Sequence, residues 1–308
     1  MELGLILPSY RPGATAEGID AATETAARLG FSDVWTTDHV LVSGASVPEY
    51  GHLFEAVTTL AYLGGRHPGL KLGASVIVVP LRDSLVLAKE LATIDALTGG
   101  RLIVGVGVGW DDREFANLGL EDRFRRRGAY LDETISLWRH LWGGSGEPFH
   151  GRFHRFEDHG FSPLPAQGAD LPIWVGGASE PALARAGRAG DGYQASQSGP
   201  QQFPVRVPVI RAAAEAAGRP PPRLSARVRV HFGPWDGPGY RLAGTPEQML
   251  LEIRAFADAG VDHLAVDLGS PDAERHAGAL ERFHREVMAG LPIVASGRLV
   301  EAAPSLPR

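Results

Sequence analysis

Cysteine is absent from all 308 residues, which excludes disulfides, thiolate metal centres, thiol nucleophiles and cysteine-held iron–sulfur clusters. No apolar run approaches the 18 residues of a membrane-spanning helix, and the opening MELGLILP lacks the basic segment of an export signal. Cytoplasmic residence is the expectation. An excess of positive charge is also missing. Lys and Arg number 30 against 36 Asp and Glu, a net charge of −6, so neither nucleic acid nor an acidic membrane has electrostatic support. No H-E-x-x-H or comparably tight ligand set occurs, and His150, His154 and His159 do not supply one. What is present is an ordinary soluble balance of 44% apolar and 21% charged residues, enough to form a core. Glycine and proline, 39 and 23 residues, make up a fifth of the chain, against a usual share of about 12%, and imply many tight turns.

Short apolar runs alternate with helical periodicity along the whole chain. Leu3 to Leu7 reads as a buried strand closed by Pro8, and Thr15 to Leu29 as a helix stopped at Gly30. Further pairs follow: Val34 to Thr37 with about His52 to Leu63, Lys71 to Val79 with Leu81 to Leu97, and Arg101 to Val108 with Arg126 to Leu141. Ser145 to Asp170 reads as a loop with a hairpin, a candidate lid. Leu171 to Val175 precedes a helix carrying Pro181 in its first turn, and Gly192 to Ala195 precedes Val205 to Ala217. Leu224 to Phe232 with Pro246 to Ala259, capped by Thr245, and Asp262 to Leu268 with Asp272 to Met288 complete eight units. Eight successive units, with no dinucleotide fingerprint after the first strand, favour an α/β fold built as a single (β/α)8 barrel over a doubly wound sheet. The expected barrel domain spans 1–290, with a tail over 291–308.

Segments that follow barrel strands converge on one face. Asp38 and His39 follow the second strand; an imidazole there can exchange a proton near neutral pH, with Asp38 as its expected orienting partner. A surface loop pair is the plain alternative. Gly105, Gly107 and Gly109 alternate before Trp110, where missing side chains would admit a flat ring, although a strand turn explains them almost equally well. Glu114 either anchors the following loop or faces solvent. Gly176, Gly177, Ala178 and Ser179 open a helix whose amides can meet a phosphate, or form a glycine turn with Ser179 as a simple cap. Asp111 and Asp112 read as a solvated loop, and Arg123, Arg125, Arg126 and Arg127 as a solvated helix entrance.

In combination, LGLILP at 3–8, VWTTDH at 34–39, AKELATIDALTGGRLIVGVGVGW at 88–110, RRGAYLDETISLWRHLW at 126–142 and LPIWVGGASEPALARAGRAGDGY at 171–193 resemble the bacterial luciferase-like family of flavin- or deazaflavin-dependent oxidoreductases, closest to its deazaflavin (F420) branch. The resemblance implies a barrel that holds a flavin-shaped ring at its carboxyl-terminal mouth, a non-proline cis peptide at Ser75–Val76 behind the ring, and Asp38 and His39 beside it. It further implies Gly107 to Trp110 along the wall, Gly176 to Ser179 near the cofactor phosphate, and a homodimer. The implied reaction is hydride transfer between coenzyme F420 and a small organic substrate, with His39 as the proton-exchanging group. FMN with reduced-flavin monooxygenation is the alternative cofactor, and a non-catalytic flavin-binding protein the alternative class. No cluster of basic residues recognisable as a sugar-phosphate site appears, which speaks against glucose-6-phosphate dehydrogenation. The loops at 146–160 and 233–244 are expected at a variable substrate entrance, where Phe153, Phe156, Trp235 and Tyr240 would either form an aromatic wall or simply pack.

Overall fold

A computed structural model describes residues 1–269 and 272–291. Eight parallel strands form a closed barrel: β1 (Glu2–Ile6), β2 (Asp33–Thr36), β3 (Lys71–Ala74), β4 (Leu102–Gly107), β5 (Ile173–Gly176), β6 (Gly192–Ser196), β7 (Arg223–Phe232) and β8 (His263–Asp267). Closure is direct, because β7 pairs with both β6 and β8, and β8 returns to β1 with Glu2 opposite His263. Eight helices follow the strands in turn: α1 (Ala16–Arg28), α2 (Ala56–Arg66), α3 (Ser84–Thr98), α4 (Glu121–Trp142), α5 (Glu180–Ala189), α6 (Phe203–Ala216), α7 (Pro246–Asp258) and α8 (Ala273–Glu286). Side-chain caps fix several starts. Thr15 accepts from Gly18, Asp83 from Leu85 and Val86, and Thr245 forms a reciprocal box with Gln248. The tail expected over 291–308 lies, from 292 onward, outside the described residues, and among those described no helix is long and apolar enough to cross a membrane.

Strand alternation divides the apolar residues into two layers. Outward side chains such as Leu5, Val34, Val104, Val175 and Val228 pack under the helices, whereas Ile6, Trp35, Ile103, Trp174 and Ala265 fill the barrel interior. Lower in that interior Asp33 bonds His263 at 3.0 Å, His263 meets Ser225 at 2.8 Å, and Trp35 donates to Asp33. A closed hydrogen-bonded set of this kind meets the requirement that buried polar groups be paired.

Two expected boundaries shift for physical reasons. The single run expected from Lys71 to Val79 is interrupted by a cis peptide at Ser75–Val76, after which Ile77–Val78 pairs with Val106 and Gly107 of β4. Helix α4 begins at Glu121, earlier than the apolar period suggests, so the arginine run lies inside a helix. Arg123 there donates to the carbonyls of Pro80 and Arg82, and Arg127 to those of Gly109 and Phe124, so these two are structural and only Arg125 and Arg126 remain solvated. The expected hairpin in 145–170 is present as Phe149–His150 against Arg155–Phe156. It is not placed as a lid: Glu133 of α4 accepts from the amides of Arg152, Phe153 and His154, and Phe153 packs on Tyr130 at 5.3 Å.

Candidate active site

The carboxyl-terminal mouth holds a cavity of about 270 Å³ lined by the loop after β2 and by residues on or just after five further strands, β3 to β7. Of the expected residues, Asp38, His39, Ser75, Val76, Gly107, Gly109, Trp110, Gly176 and Gly177 all line it. Ala178 and Ser179 do not. They are exposed at the start of α5, where Ser179 occupies the cap position without a side-chain capping bond. Trp110 is 62% exposed and therefore forms the rim rather than an inner wall.

Asp38 does not orient His39. Its carboxylate is engaged by the Val78 amide at 2.8 Å and by the Arg82 guanidinium at 2.6 Å, so it ties the loop after β2 to the segment after β3. Both of its oxygens are thus taken, Oδ2 by Val78 and Oδ1 by Arg82. The partner of His39 is Glu114, whose Oε2 stands 2.8 Å from Nδ1 while Oε1 accepts from the amides of Val40 at 2.5 Å and Leu41 at 3.3 Å. Glu114 is 2% exposed. Burial alone would raise its pKa, but the bonds from His39 and the two amides outweigh that and hold the carboxyl below its ordinary range. With Nδ1 engaged, Nε2 is the nitrogen left for exchange with a bound molecule. Tyr50 lies 4.4 Å from the imidazole, ring to ring.

Glu114 is placed by a short helix, Asp112–Asn117, whose cap is Asp111. Asp111 corrects another expectation: it is buried, accepting from the Arg113 amide and from Ser46 Oγ, both at 3.1 Å, whereas Asp112 is solvated as expected. The cavity floor is the cis peptide with Val76 above it. A Cβ at Gly107 would lie 2.5 Å from Val76 Cγ2, and one at Gly176 would lie 2.9 Å from Cγ1. These glycines are required by close approach.

Several lining residues escaped sequence reasoning: Thr37, Tyr50, Gln194, Ser196 and Arg227. Thr37 Oγ1 and Gln194 Nε2 are buried without a hydrogen-bond partner among the described residues. A basic cluster is also assembled here, from arginines that form no run in the sequence. Arg227 donates to the Ser75 carbonyl at 2.6 Å and to Tyr10 Oη at 3.0 Å, and Arg11 donates to Tyr10 at 2.9 Å. Tyr10 in turn donates to Asp267 at 2.6 Å, and Arg229 pairs with Glu49 and Asp267. Burial would raise Asp267, yet Arg11, Arg227, Tyr10 and Arg229 pull its pKa down to about 2. Burial, reinforced by Asp267, pushes the Tyr10 phenol up to about 12. Phe153 and Phe156 lie away from this cavity, while Trp235 and Tyr240 line a separate pocket beside the mouth.

A profile of the family described as luciferase-like monooxygenase matches residues 1–236. The F420-dependent glucose-6-phosphate dehydrogenase of Amycolatopsis mediterranei is 28% identical over 91% of this chain and 96% of its own. The FMNH2-dependent dimethylsulfone monooxygenase of Pseudomonas putida is 35% identical over 53% of this chain and 45% of its own. Among solved structures, the monooxygenase RslO1 of Streptomyces bottropensis superposes with a TM-score of 0.78 at 23% identity, covering 94% of this chain and 99% of that one, a likeness of fold. The chain belongs to the luciferase-like monooxygenase family, a class of barrel oxidoreductases that use a flavin or a deazaflavin, and it is an enzyme of that class.

Proposed function

We propose that this enzyme transfers a hydride between coenzyme F420 and a small organic substrate at the mouth of the barrel. The observation that carries the reading is the His39–Glu114 pair facing a cavity floored by Val76 and walled by glycine. The residues present fit a flavin-type ring. Such a ring is flat, apolar across its faces and edged with carbonyl and imide groups, and the cavity offers an apolar floor with two unpartnered polar groups, Thr37 Oγ1 and Gln194 Nε2. Val76 would lie under the ring, Gly107 and Gly109 along it, Trp110 at its rim, and the amides of Gly177, Ala178 and Ser179 leading into α5 toward its phosphate.

When bound, the deazaflavin supplies a ring carbon that accepts or gives the hydride. His39 holds or receives the accompanying proton at Nε2, and the Glu114 carboxylate fixes the tautomer that makes this possible. Asp38, saturated by Val78 and Arg82, keeps the loop that bears His39 in register with the floor and is a positioning residue.

The extensive match to an F420-dependent enzyme supports the deazaflavin, while the 35% identity to an FMNH2-dependent monooxygenase supports FMN as the second reading. Parallel anaerobic titration of the purified protein with FMN and F420, followed by absorbance and fluorescence, separates them. Preferential saturable binding of F420 is expected. Preference for FMN would shift the reaction to oxygen-dependent monooxygenation, and binding of neither would remove the proposal.

A further inference from the structure

Beside the cofactor cavity lies a pocket of about 570 Å³ lined by Trp235, Tyr240, Arg241, Thr245, Gln248 and Glu252, among others. Arg241 lines this pocket, Arg227 lines the cofactor cavity, and Arg229 stands between them on β7. Arg227 and Arg229 stand two apart on β7 and so face the same side, toward the barrel interior. The short strand Arg241–Gly244 pairs in parallel with the end of β7, with Arg241 in register with Arg229. Neighbouring strands lie about 4.8 Å apart, so two cations are held side by side. Like charges directly opposed across a sheet are unfavourable unless an anion lies between or beside them.

The local carboxylates do not cancel this charge. Arg11, Arg227 and Arg229 share Asp267 and Glu49, and with Arg241 set against Glu252 on the pocket wall one positive charge is left over. Arg241 makes no ion pair among the described residues; its guanidinium lies 3.8 Å over the Trp235 ring. Burial, together with Arg229, depresses its pKa, against a smaller opposing pull from Asp267. Glu49 reaches Arg229 from a single-turn helix, Val47–Tyr50, adjacent to His39 through Tyr50. Its carboxylate therefore marks a position where an anion satisfies the arginines.

We infer that the substrate is an organic anion whose carboxylate, sulfonate or phosphate is held by Arg229 and Arg241, with an apolar or aromatic portion against Trp235. The shared requirement is a planar or tetrahedral oxyanion that accepts paired N–H donors. This rests on the oxidoreductase reading for the word substrate, while the anion site itself stands on the arginines alone.

Calorimetric titration with benzoate, benzenesulfonate, phenyl phosphate and benzyl alcohol, into cofactor-free and cofactor-saturated protein, tests it. At least one anion binds tenfold or more tightly than benzyl alcohol in both forms. Arg241→Gln weakens that binding at least tenfold, Glu49→Gln strengthens it, and Arg125→Gln on exposed α4 leaves it unchanged. Trp235→Phe, which leaves the charges in place, reports the aromatic contact should Arg241→Gln fail to fold. Equal affinity for benzyl alcohol, or an Arg241→Gln protein that folds and binds normally, overturns the inference. Anion binding that vanishes on cofactor saturation also overturns it, by assigning the arginines to the cofactor. Binding of anions through Arg241 without binding of FMN or F420 would preserve the anion site and remove the cofactor reading.

Discussion

His39 Nδ1 stands 2.8 Å from Glu114 Oε2, a contact that joins residues 75 positions apart on the loops after two different strands. Its consequence is a fixed imidazole tautomer with one nitrogen available at the cavity. Replacing His39 with Gln should lower turnover by about 10² to 10⁴, the usual contribution of a positioned proton-transfer group. Glu114→Gln should lower it by roughly ten- to a hundredfold through loss of orientation. Cofactor affinity, measured by the same anaerobic titration, should change less than turnover in both variants. A Glu114→Gln enzyme with unaltered kcat and pH profile would refute the orienting role.

The floor gives a second prediction. A methyl group at position 107 meets Val76 Cγ2 at 2.5 Å, a distance that forces Val76 upward into the cavity. Gly107→Ala should therefore weaken ring binding by more than about tenfold while costing about 1–3 kcal/mol of stability, the usual price of overpacking. Fluorescence titration and urea unfolding measured together distinguish a displaced floor from a damaged barrel.

Asp267 is the shared acceptor of the arginine cluster and is 3% exposed. Asp267→Asn leaves buried guanidinium groups without half of their counter-charge and should destabilise the protein by roughly 3–5 kcal/mol. Because the native carboxyl titrates at about 2, below its unfolded value, its contribution is complete above about pH 4 and disappears as pH falls through 2. Denaturation midpoints of the two proteins at neutral pH provide the comparison.

His276 of α8 is buried, with both ring nitrogens unpartnered among the described residues, and burial depresses its pKa to about 4. Between pH 6.5 and 4 the unfolded chain binds a proton that the folded chain excludes. Stability is therefore complete above pH 6.5 and falls by roughly 3 kcal/mol as pH drops to 4. His276→Leu should flatten this part of the stability–pH curve, as read from urea midpoints in that interval; an unchanged slope would show that His276 is not the titrating group.

The alternation of strand and helix was legible because apolar runs, glycines and prolines report local structure. Asp38, His39 and the glycine pairs were legible because barrel topology sends every residue after a strand to one face. Glu114 was not, because its partner depends on how two loops meet. The arginine cluster was missed for a related reason: Arg11, Arg227, Arg229 and Arg241 are dispersed along the chain and never form a run. A signal did exist in the segment SARVRVHF, where Ser225, Arg227, Arg229 and His231 occupy one face and Ala226, Val228 and Val230 the other. Charge on the inner face of a barrel strand marks a site, once the strand's orientation is known.

The pairing of β1 with β8 sets the order in which this protein can be completed. Residues 2–5 find their partners only at 263–266, so during synthesis the first strand waits with one edge bare until almost the entire chain has emerged. Such an edge invites pairing with other chains. It also means that Asp267, at the end of the closing strand, arrives last among the groups that surround Arg227. Glu49 can meet Arg11 and Arg229 earlier, but Arg227 has no carboxylate until the barrel is shut, which makes completion of the arginine wall a late event of folding.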